Sequence, residues 1–199
     1  MSTTTAAKSR SSLARFALPI LVGMMALLVA ACGKTASATS APAQHISSKL
    51  NLTIVAQGPD KSIQGPAYSP SAWTLPANTL VTVTIVNHDP GDTSLPANSQ
   101  FARIAGVTNN TAYVDGVAYT SLSPDKVAHT FTVPQLGINV PIPGDAPAGH
   151  QDITVTFTFK TGAAGSYIWQ CMDPCGSGTS GWQGPMSTRG YMTGTLTVE

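Results

Sequence analysis

The chain has 199 residues, of which only 10% are charged, and its formal net charge is +1. With 10 basic and 9 acidic residues it lacks the basic surface that nucleic-acid-binding proteins use, so we expect no nucleic-acid partner. The small number of charges means that Ser, Thr, Asn, Gln and Gly must keep the surface soluble.

The N-terminal segment has the features of an export signal. Lys8, Arg10 and Arg15 form a basic region without acidic residues, and an apolar run follows at 16–31. This run is short for a transmembrane helix, which needs about 20 apolar residues, and fits the apolar core of a signal peptide. The small residues directly before Cys32 resemble the lipobox of bacterial lipoproteins, in which the cysteine is lipidated and becomes the new N-terminus. The alternative is an uncleaved anchor with an incidental cysteine.

Both interpretations place the rest of the chain on the extracytoplasmic face of the cell membrane, and lipidation would tether it there. We therefore predict a signal peptide over residues 1–31, a lipid-anchored flexible tether over 32–47 and one domain over 48–199. Removal of the signal takes away three basic residues and no acidic one, which leaves a net charge of −2.

The domain is predicted to be all-β, because runs of β-branched and apolar residues alternate at period two and are bounded by Gly, Pro, Asn and Asp. An antiparallel Greek-key β-sandwich is the natural packing of such strands. The predicted strands cover residues 50–55, 79–86, 128–133, 153–159, 166–170 and 193–198.

The segment 89–126 interrupts this regular pattern. It is a long polar connection with weak strand character around residues 111–118. A connection of this length in a small domain is usually functional or contains further structure, and the sequence leaves both open.

Two cysteines follow the strand predicted at 166–170. Cys171 and Cys175 are separated by Met172-Asp173-Pro174, and a strand-to-loop turn can direct both sulfurs toward one point. In an oxidising compartment such a pair forms a disulfide or a metal site. Thiolates are soft ligands that suit copper, and zinc is the alternative.

The strand predicted at 128–133 carries His129, two residues before Phe131 and within the run Ala128 to Pro141. In a β-sandwich this strand can lie beside the loop that holds the cysteines. A lone histidine in a strand is more often a core or surface residue than a ligand, so the position gains weight only together with the thiols.

Together the two segments resemble the cupredoxins, and specifically the domain that carries the binuclear copper A centre in subunit II of cytochrome c oxidase. In that family a His-aromatic-Val-Pro-x-Leu-Gly strand supplies an imidazole, and a Gly-x-Tyr-x-x-x-Cys-x-x-x-Cys-Gly segment supplies two bridging thiolates. The resemblance implies copper ligands at His129, Cys171 and Cys175, with Asp173 contributing a backbone carbonyl. It covers roughly residues 50–199 and is strong over 128–140 and 165–198.

The sequence departs from the copper A pattern after the second cysteine. Thr179 and Trp182 occupy the places where that family has a further His and a Met, within a Gly-rich insertion. The run Gly190 to Gly194 resembles the Gly-x-Met-x-Gly turn of mononuclear blue copper proteins, which makes Met192 the candidate weak ligand and Met186 the second choice.

Three arrangements stay open at this stage. Copper is bound by His129, Cys171, Cys175 and Met192; or His88 or His150 completes a more usual set; or the two cysteines form a disulfide. The resemblance implies one-electron transfer with a redox protein or respiratory complex, and the alternative is a cupredoxin-fold binding or structural module without working copper. Because no catalytic triad, phosphate loop or carboxylate pair is recognisable, we expect no enzymatic activity.

Overall fold

A computed structural model describes residues 47–91, 93–144 and 152–199. The predicted signal peptide, Cys32, nearly all of the predicted tether and His150 lie outside the described residues. Within the described ranges, no helix combines the length and apolar character that crossing a membrane requires.

The described residues form strands connected by loops and short 3₁₀ turns. The strands are β1 (Ser47–Val55), β2 (Ala67–Ser69), β3 (Ala72–Leu75), β4 (Leu80–Asn87), β5 (Ala112–Val114), β6 (Val117–Tyr119), β7 (Val127–Val133), β8 (Ile138–Pro143), β9 (Ile153–Lys160), β10 (Gly165–Gln170) and β11 (Thr193–Val198). The 3₁₀ turns are Gln100–Ala102, Thr108–Asn110, Pro124–Lys126, Pro134–Leu136 and Gly184–Met186.

The strands make two sheets, with the orders β2-β1-β4-β9-β5-β6 and β3-β11-β10-β7-β8. The chain changes sheet repeatedly, for example from β2 to β3 and from β8 to β9, so both sheets are built from distant segments. The predicted all-β sandwich is confirmed, and all six predicted strands are present within one or a few residues of their expected bounds.

Two strand pairs depart from the antiparallel pairing that the sequence led us to expect. β1 pairs with β4 in parallel, and β11 pairs with β3 in parallel. Parallel neighbours need a crossover, because the chain must return to the starting edge before it can run in the same direction again. The crossover between β1 and β4 passes through β2 and β3, short strands that belong to different sheets.

Period-two burial explains how the sheets make a core. In β4, Val81, Val83 and Ile85 are fully buried, while Thr82 points to solvent and its hydroxyl meets that of Thr158 on β9. Removing apolar side chains from water in this way supplies most of the free energy of folding.

Aromatic rings fill the centre of the sandwich beneath the ends of β7 and β10. Trp73 stacks on Phe131 and on Trp169, with ring centroids 5.3 Å and 4.8 Å apart. Tyr68 meets the edge of Trp169 at 4.9 Å, and its hydroxyl donates to the carbonyl of Thr130. Since Phe131 follows His129 by two residues and Trp169 precedes Cys171 by two, this cluster fixes the two strands that carry them.

The connection 89–126 contains more regular secondary structure than its composition predicts. The hairpin β5–β6 extends the six-stranded sheet through pairing of Tyr113 with Thr156, and three of the 3₁₀ turns lie in this connection. Ile104 and Val107 from the same segment are buried in the main core.

Candidate metal centre

His129 and Cys171 are brought together because β7 and β10 are neighbours in the five-stranded sheet. Gln170, the last residue of β10, pairs with Thr132, and Cys171 therefore emerges beside the middle of β7. The Cys171 N–H donates to the carbonyl of Met192 at 2.8 Å, which keeps the start of the loop attached to β11.

The loop after Cys171 makes a tight turn that places the Cys175 thiol next to the Cys171 thiol. Pro174 lacks an N–H, and the Cys175 N–H donates to the carbonyl of Asp173 at 2.8 Å. The two Sγ atoms lie 3.7 Å apart. One ligand atom from each of His129, Cys171 and Cys175 lies within 4.8 Å of the other two, so these three predicted residues are close enough to hold one metal ion.

The imidazole of His129 is oriented from outside by Asp89, whose Oδ2 is 2.8 Å from Nε2. The other ring nitrogen, Nδ1, is buried and has no hydrogen-bond partner among the described residues. Nε2–H therefore donates to the carboxylate, and Nδ1 is the nitrogen left to bind a metal ion. A buried histidine nitrogen left free by a partner on the opposite nitrogen is the arrangement that metal-ligating histidines use.

The short distances between His129, Cys171 and Cys175 shift the pKa values of all three residues. Burial disfavours the imidazolium, but the hydrogen bond with Asp89 and the nearby Cys171 outweigh it and raise the pKa of His129 to about 9. Burial likewise disfavours the Cys171 thiolate, yet the Cys175 thiol, the nearby His129 ring and the Thr130 N–H, the last at 3.3 Å, hold the pKa of Cys171 well below the ordinary value. The hydrogen bond with Cys171, followed by burial, raises the pKa of Cys175. The surroundings thus favour the thiolate form of Cys171 and disfavour that of Cys175.

One thioether that contacts the thiols belongs to Met186, the second-choice weak ligand. The Sδ atom of Met186 is 3.4 Å from Sγ of Cys175, and the residue is buried in the turn Gly184–Met186. Met192 is fully buried, and its backbone binds the start of the cysteine loop. A ligand role for the Met192 sulfur stays a prediction.

Asp173 lies where the resemblance places a carbonyl ligand, and its carbonyl is 3.5 Å from Sγ of Cys171. Its side chain is an unexpected feature, because the carboxyl group is fully buried and neither oxygen has a hydrogen-bond partner among the described residues. Burial and then the negative charge of Cys171 raise the pKa of Asp173 to about 8.

A line of buried hydrogen bonds connects the cysteine loop to the long connection. The Met172 N–H donates to Thr130 Oγ1, which lies 2.8 Å from Thr132 Oγ1, and Thr132 donates to Oδ1 of Asn139. The Asn139 amide then donates to two carbonyls within segment 99–105. Because Thr132 uses its proton on Asn139, Thr130 must donate to Thr132, so every proton in the line is assigned.

The sequence prediction omitted Asp89 and considered its neighbour His88 instead. His88 is 40% exposed on its side chain and pairs through Nδ1 with Asp152, so it is engaged away from the three clustered ligands. The sequence feature that could have pointed to Asp89 is its position in the loop just after β4, a strand of the sheet that does not contain His129. Recognising it needs the fold, since 40 residues separate it from His129.

Comparison with known proteins gives distant structural similarities only. No family model and no curated protein matches the chain. Solved structures to which it is similar include auracyanin B (13% identity, TM-score 0.35, covering 80% of this chain and 93% of that one) and auracyanin A, a "blue" copper protein of Chloroflexus aurantiacus (13%, 0.36, 77% and 99%). A third is rusticyanin of Thiobacillus ferrooxidans (14%, 0.31, 76% and 77%). At these values the alignments add nothing to the architecture, which rests on the strand pairing itself.

Proposed function

We propose that this protein is a copper-binding, cupredoxin-like electron carrier held at the extracytoplasmic face of the cell membrane. The observation that carries the proposal is the convergence of His129, Cys171 and Cys175 within 4.8 Å, with a buried, unpartnered imidazole nitrogen among them. One imidazole and two thiolates are donors that copper prefers.

The residues fit a copper ion in their burial as well as their chemistry. His129 and Cys171 are fully buried, whereas Cys175 is partly exposed, so the site is shielded but close to the surface. Such a position suits electron transfer, because a partner can approach without entering the fold. Bound copper supplies the one-electron couple; the protein holds the ligands on β7, on the loop after β10, and over the aromatic cluster beneath them.

A rigid ligand frame is the contribution of this chain to the proposed activity. Asp89 fixes the His129 ring, and the Thr130 N–H fixes Cys171. Met172 is held by the Thr130 hydroxyl. Ligands that cannot relax between oxidation states lower the structural cost of gaining or losing an electron.

Reconstitution with copper tests the proposal. We expect an intense thiolate-to-copper absorption band and a defined ratio of copper to protein, measured by elemental analysis. Cys171→Ser and Cys175→Ser should each abolish or strongly alter the band. Ser177→Ala, in the same loop, is the control and should leave it in place. A protein that stays colourless and copper-free with both thiols reduced would refute the proposal.

The two methionines can be distinguished by matched substitutions. If Met186 is the weak donor, Met186→Leu shifts the absorption band and the reduction potential, while Met192→Leu changes only stability. If Met192 is the donor, as the Gly-x-Met-x-Gly turn suggests, the pattern is reversed. The ratio of bound copper to protein also separates a mononuclear site from a binuclear one like copper A, whose second histidine position is Thr179 here.

The second candidate function is a binding or structural module without working copper. One distance favours it. Sγ of Cys171 and Sγ of Cys175 lie 3.7 Å apart, so a small movement of the loop would bring them to the separation of a disulfide bond. Thiol titration and mass measurement of protein isolated without reductant test it. Complete loss of free thiols, together with failure to take up copper after reduction, would support this alternative.

The membrane tether and the partner are tested separately. Cys32→Ala should release the protein from the membrane fraction and prevent incorporation of labelled fatty acid. If the carrier role is right, the reduced copper protein should pass electrons to an extracytoplasmic redox protein or respiratory complex of the same cell, followed by bleaching or recovery of the absorption band.

A further inference from the structure

We propose that a cavity between the β7–β8 hairpin and segment 100–105 binds a small aromatic monoanion, of which an aromatic carboxylate is the simplest example. The proposal is independent of copper and adds a ligand-binding activity to the proposed function. The cavity has a volume of about 450 Å³, within the range of roughly 300–1,000 Å³ that is common for small-molecule sites. Its lining comes from three parts of the chain, which are residues 100–105, residues 132–139 and Met172 of the cysteine loop.

The polar side chains deepest in the lining offer no free donor to a ligand. Thr132 and Asn139 are both buried. Thr132 donates to Oδ1 of Asn139, and both N–H groups of the Asn139 amide donate to carbonyls within residues 101–103. Because these protons are already used, an anionic or strongly polar group gains nothing at this part of the cavity. The uncharged, internally satisfied surface instead suits the apolar part of a ligand.

The apolar residues of the lining favour an aromatic ligand body. Phe101 and Met172 line the cavity and are half-buried, so both keep surface that a ligand can contact, and the buried Ile138 adds to the apolar wall. Aromatic rings pack favourably against one another and against methionine sulfur. A planar aromatic ring can therefore use both contacts.

The charge of the ligand is indicated by Arg103, the single charged residue of the lining. Arg103 is exposed, and the ion pairs among the described residues are those of His88 and His129. No carboxylate in that part of the chain therefore competes for the guanidinium, whose paired N–H donors match the two oxygens of a carboxylate. Gln100 is exposed in the same lining and adds an amide. An aromatic body that carries one carboxylate complements these features.

A ligand in this cavity would contact the cysteine loop, which provides a local reporter. Met172 follows Cys171 directly, and its N–H donates to Thr130 Oγ1 at 2.7 Å, so its backbone is fixed in place. An aromatic ring bound against its side chain should shift the resonance of its methyl group.

The test uses the full-length protein, reduced and without copper, with ¹³C at the methionine methyl groups. Naphthoate is titrated at neutral pH, and naphthamide, a neutral compound of nearly the same shape, is titrated in parallel. We expect a saturable shift of the Met172 resonance, assigned with Met172→Leu. Naphthamide should bind about fivefold more weakly, the upper end of what an exposed ion pair contributes. Absence of a Met172 shift, or equal affinity for the two compounds, would overturn the proposal.

Two pairs of substitutions test the charge and the cavity separately. Arg103→Gln should weaken naphthoate binding about fivefold and leave naphthamide binding unchanged. Arg189→Gln is its control, because Arg189 is exposed and is not part of the lining. Ala105→Phe should fill the cavity and weaken binding of both compounds, whereas Ala118→Phe, at an exposed alanine of β6 outside the lining, should change neither. Equal effects of the two arginine substitutions would show general attraction of anions and refute the proposal. Unchanged affinities in Ala105→Phe would refute the assignment to this cavity.

Discussion

Replacing Asp89 gives the sharpest test of how the site is held. Its Oδ2 accepts from His129 Nε2–H at 2.8 Å and from the Gly91 N–H at 3.2 Å. Asp89→Ala removes the acceptor of both donors, and His129 has no exposed surface through which water could replace it. An unsatisfied buried donor costs about 1–3 kcal/mol.

This perturbation should act on copper affinity as well as on stability. Partners that orient a metal-ligating histidine typically contribute 10–100-fold to affinity, or about 1.4–2.7 kcal/mol. We therefore expect Asp89→Ala to weaken copper binding by about that factor and to lower the free energy of unfolding of the metal-free protein by about 1–3 kcal/mol. Asp89→Asn keeps an oxygen that can accept from His129 and should fall between Asp89→Ala and the unsubstituted protein.

Copper affinity is measured by competition with a chelator of known affinity, and stability by denaturant unfolding. Asp125→Ala is the control, because Asp125 is exposed and, among the residues that the structure describes, its side chain bonds only to the nearby Ser123. The control should stay within about 0.5 kcal/mol of the unsubstituted protein. If Asp89→Ala binds copper within twofold of the unsubstituted protein, Asp89 does not position the ligand and the reasoning fails.

Two further substitutions probe the frame around the site. Thr132→Val interrupts the line of hydrogen bonds and leaves Asn139 Oδ1 without its donor, so we expect a loss of about 1–3 kcal/mol in denaturant unfolding; an unchanged midpoint would show that the line is not stabilising. Gly194→Ala would place a Cβ 2.1 Å from the Ser71 carbonyl and 2.4 Å from Trp169 Nε1. Overpacking of this kind costs about 1–3 kcal/mol, so Gly194→Ala should unfold at a lower temperature than the unsubstituted protein. An unchanged midpoint of thermal unfolding would contradict this prediction.

The fold was predictable because its strands carry their own pattern. Period two in β4 and β9 separates buried Val83 and Phe157 from the threonines between them, and no helical period competes. What period two cannot supply is the order of strands. The parallel pairing of β1 with β4 depends on a crossover through two short strands that have little pattern of their own.

The site was predictable in part for the same reason. Cys171 and Cys175 are close in sequence, so their meeting depends on a local turn. His129 depends on β7 lying beside β10, which was expected as one way to pack a β-sandwich and which the strand pairing shows. Asp89 and the thioether of Met186 reach the site from other loops of the chain, and no local sequence pattern predicts these contacts.

The placement of the cysteine loop also bears on how such a protein can change over time. The loop from Cys171 to Met192 begins and ends on β10 and β11, which are paired side by side from Gln170 and Thr193 onward. Its ends are therefore fixed by the sheet whatever its length, and doubling a loop costs only about 0.6 kcal/mol in closure entropy. Residues can be inserted or exchanged at the exposed positions 177–180 with little penalty to the sandwich, provided that the buried Met186 and Met192 stay in place. Ligand chemistry can thus diversify on an unchanged scaffold.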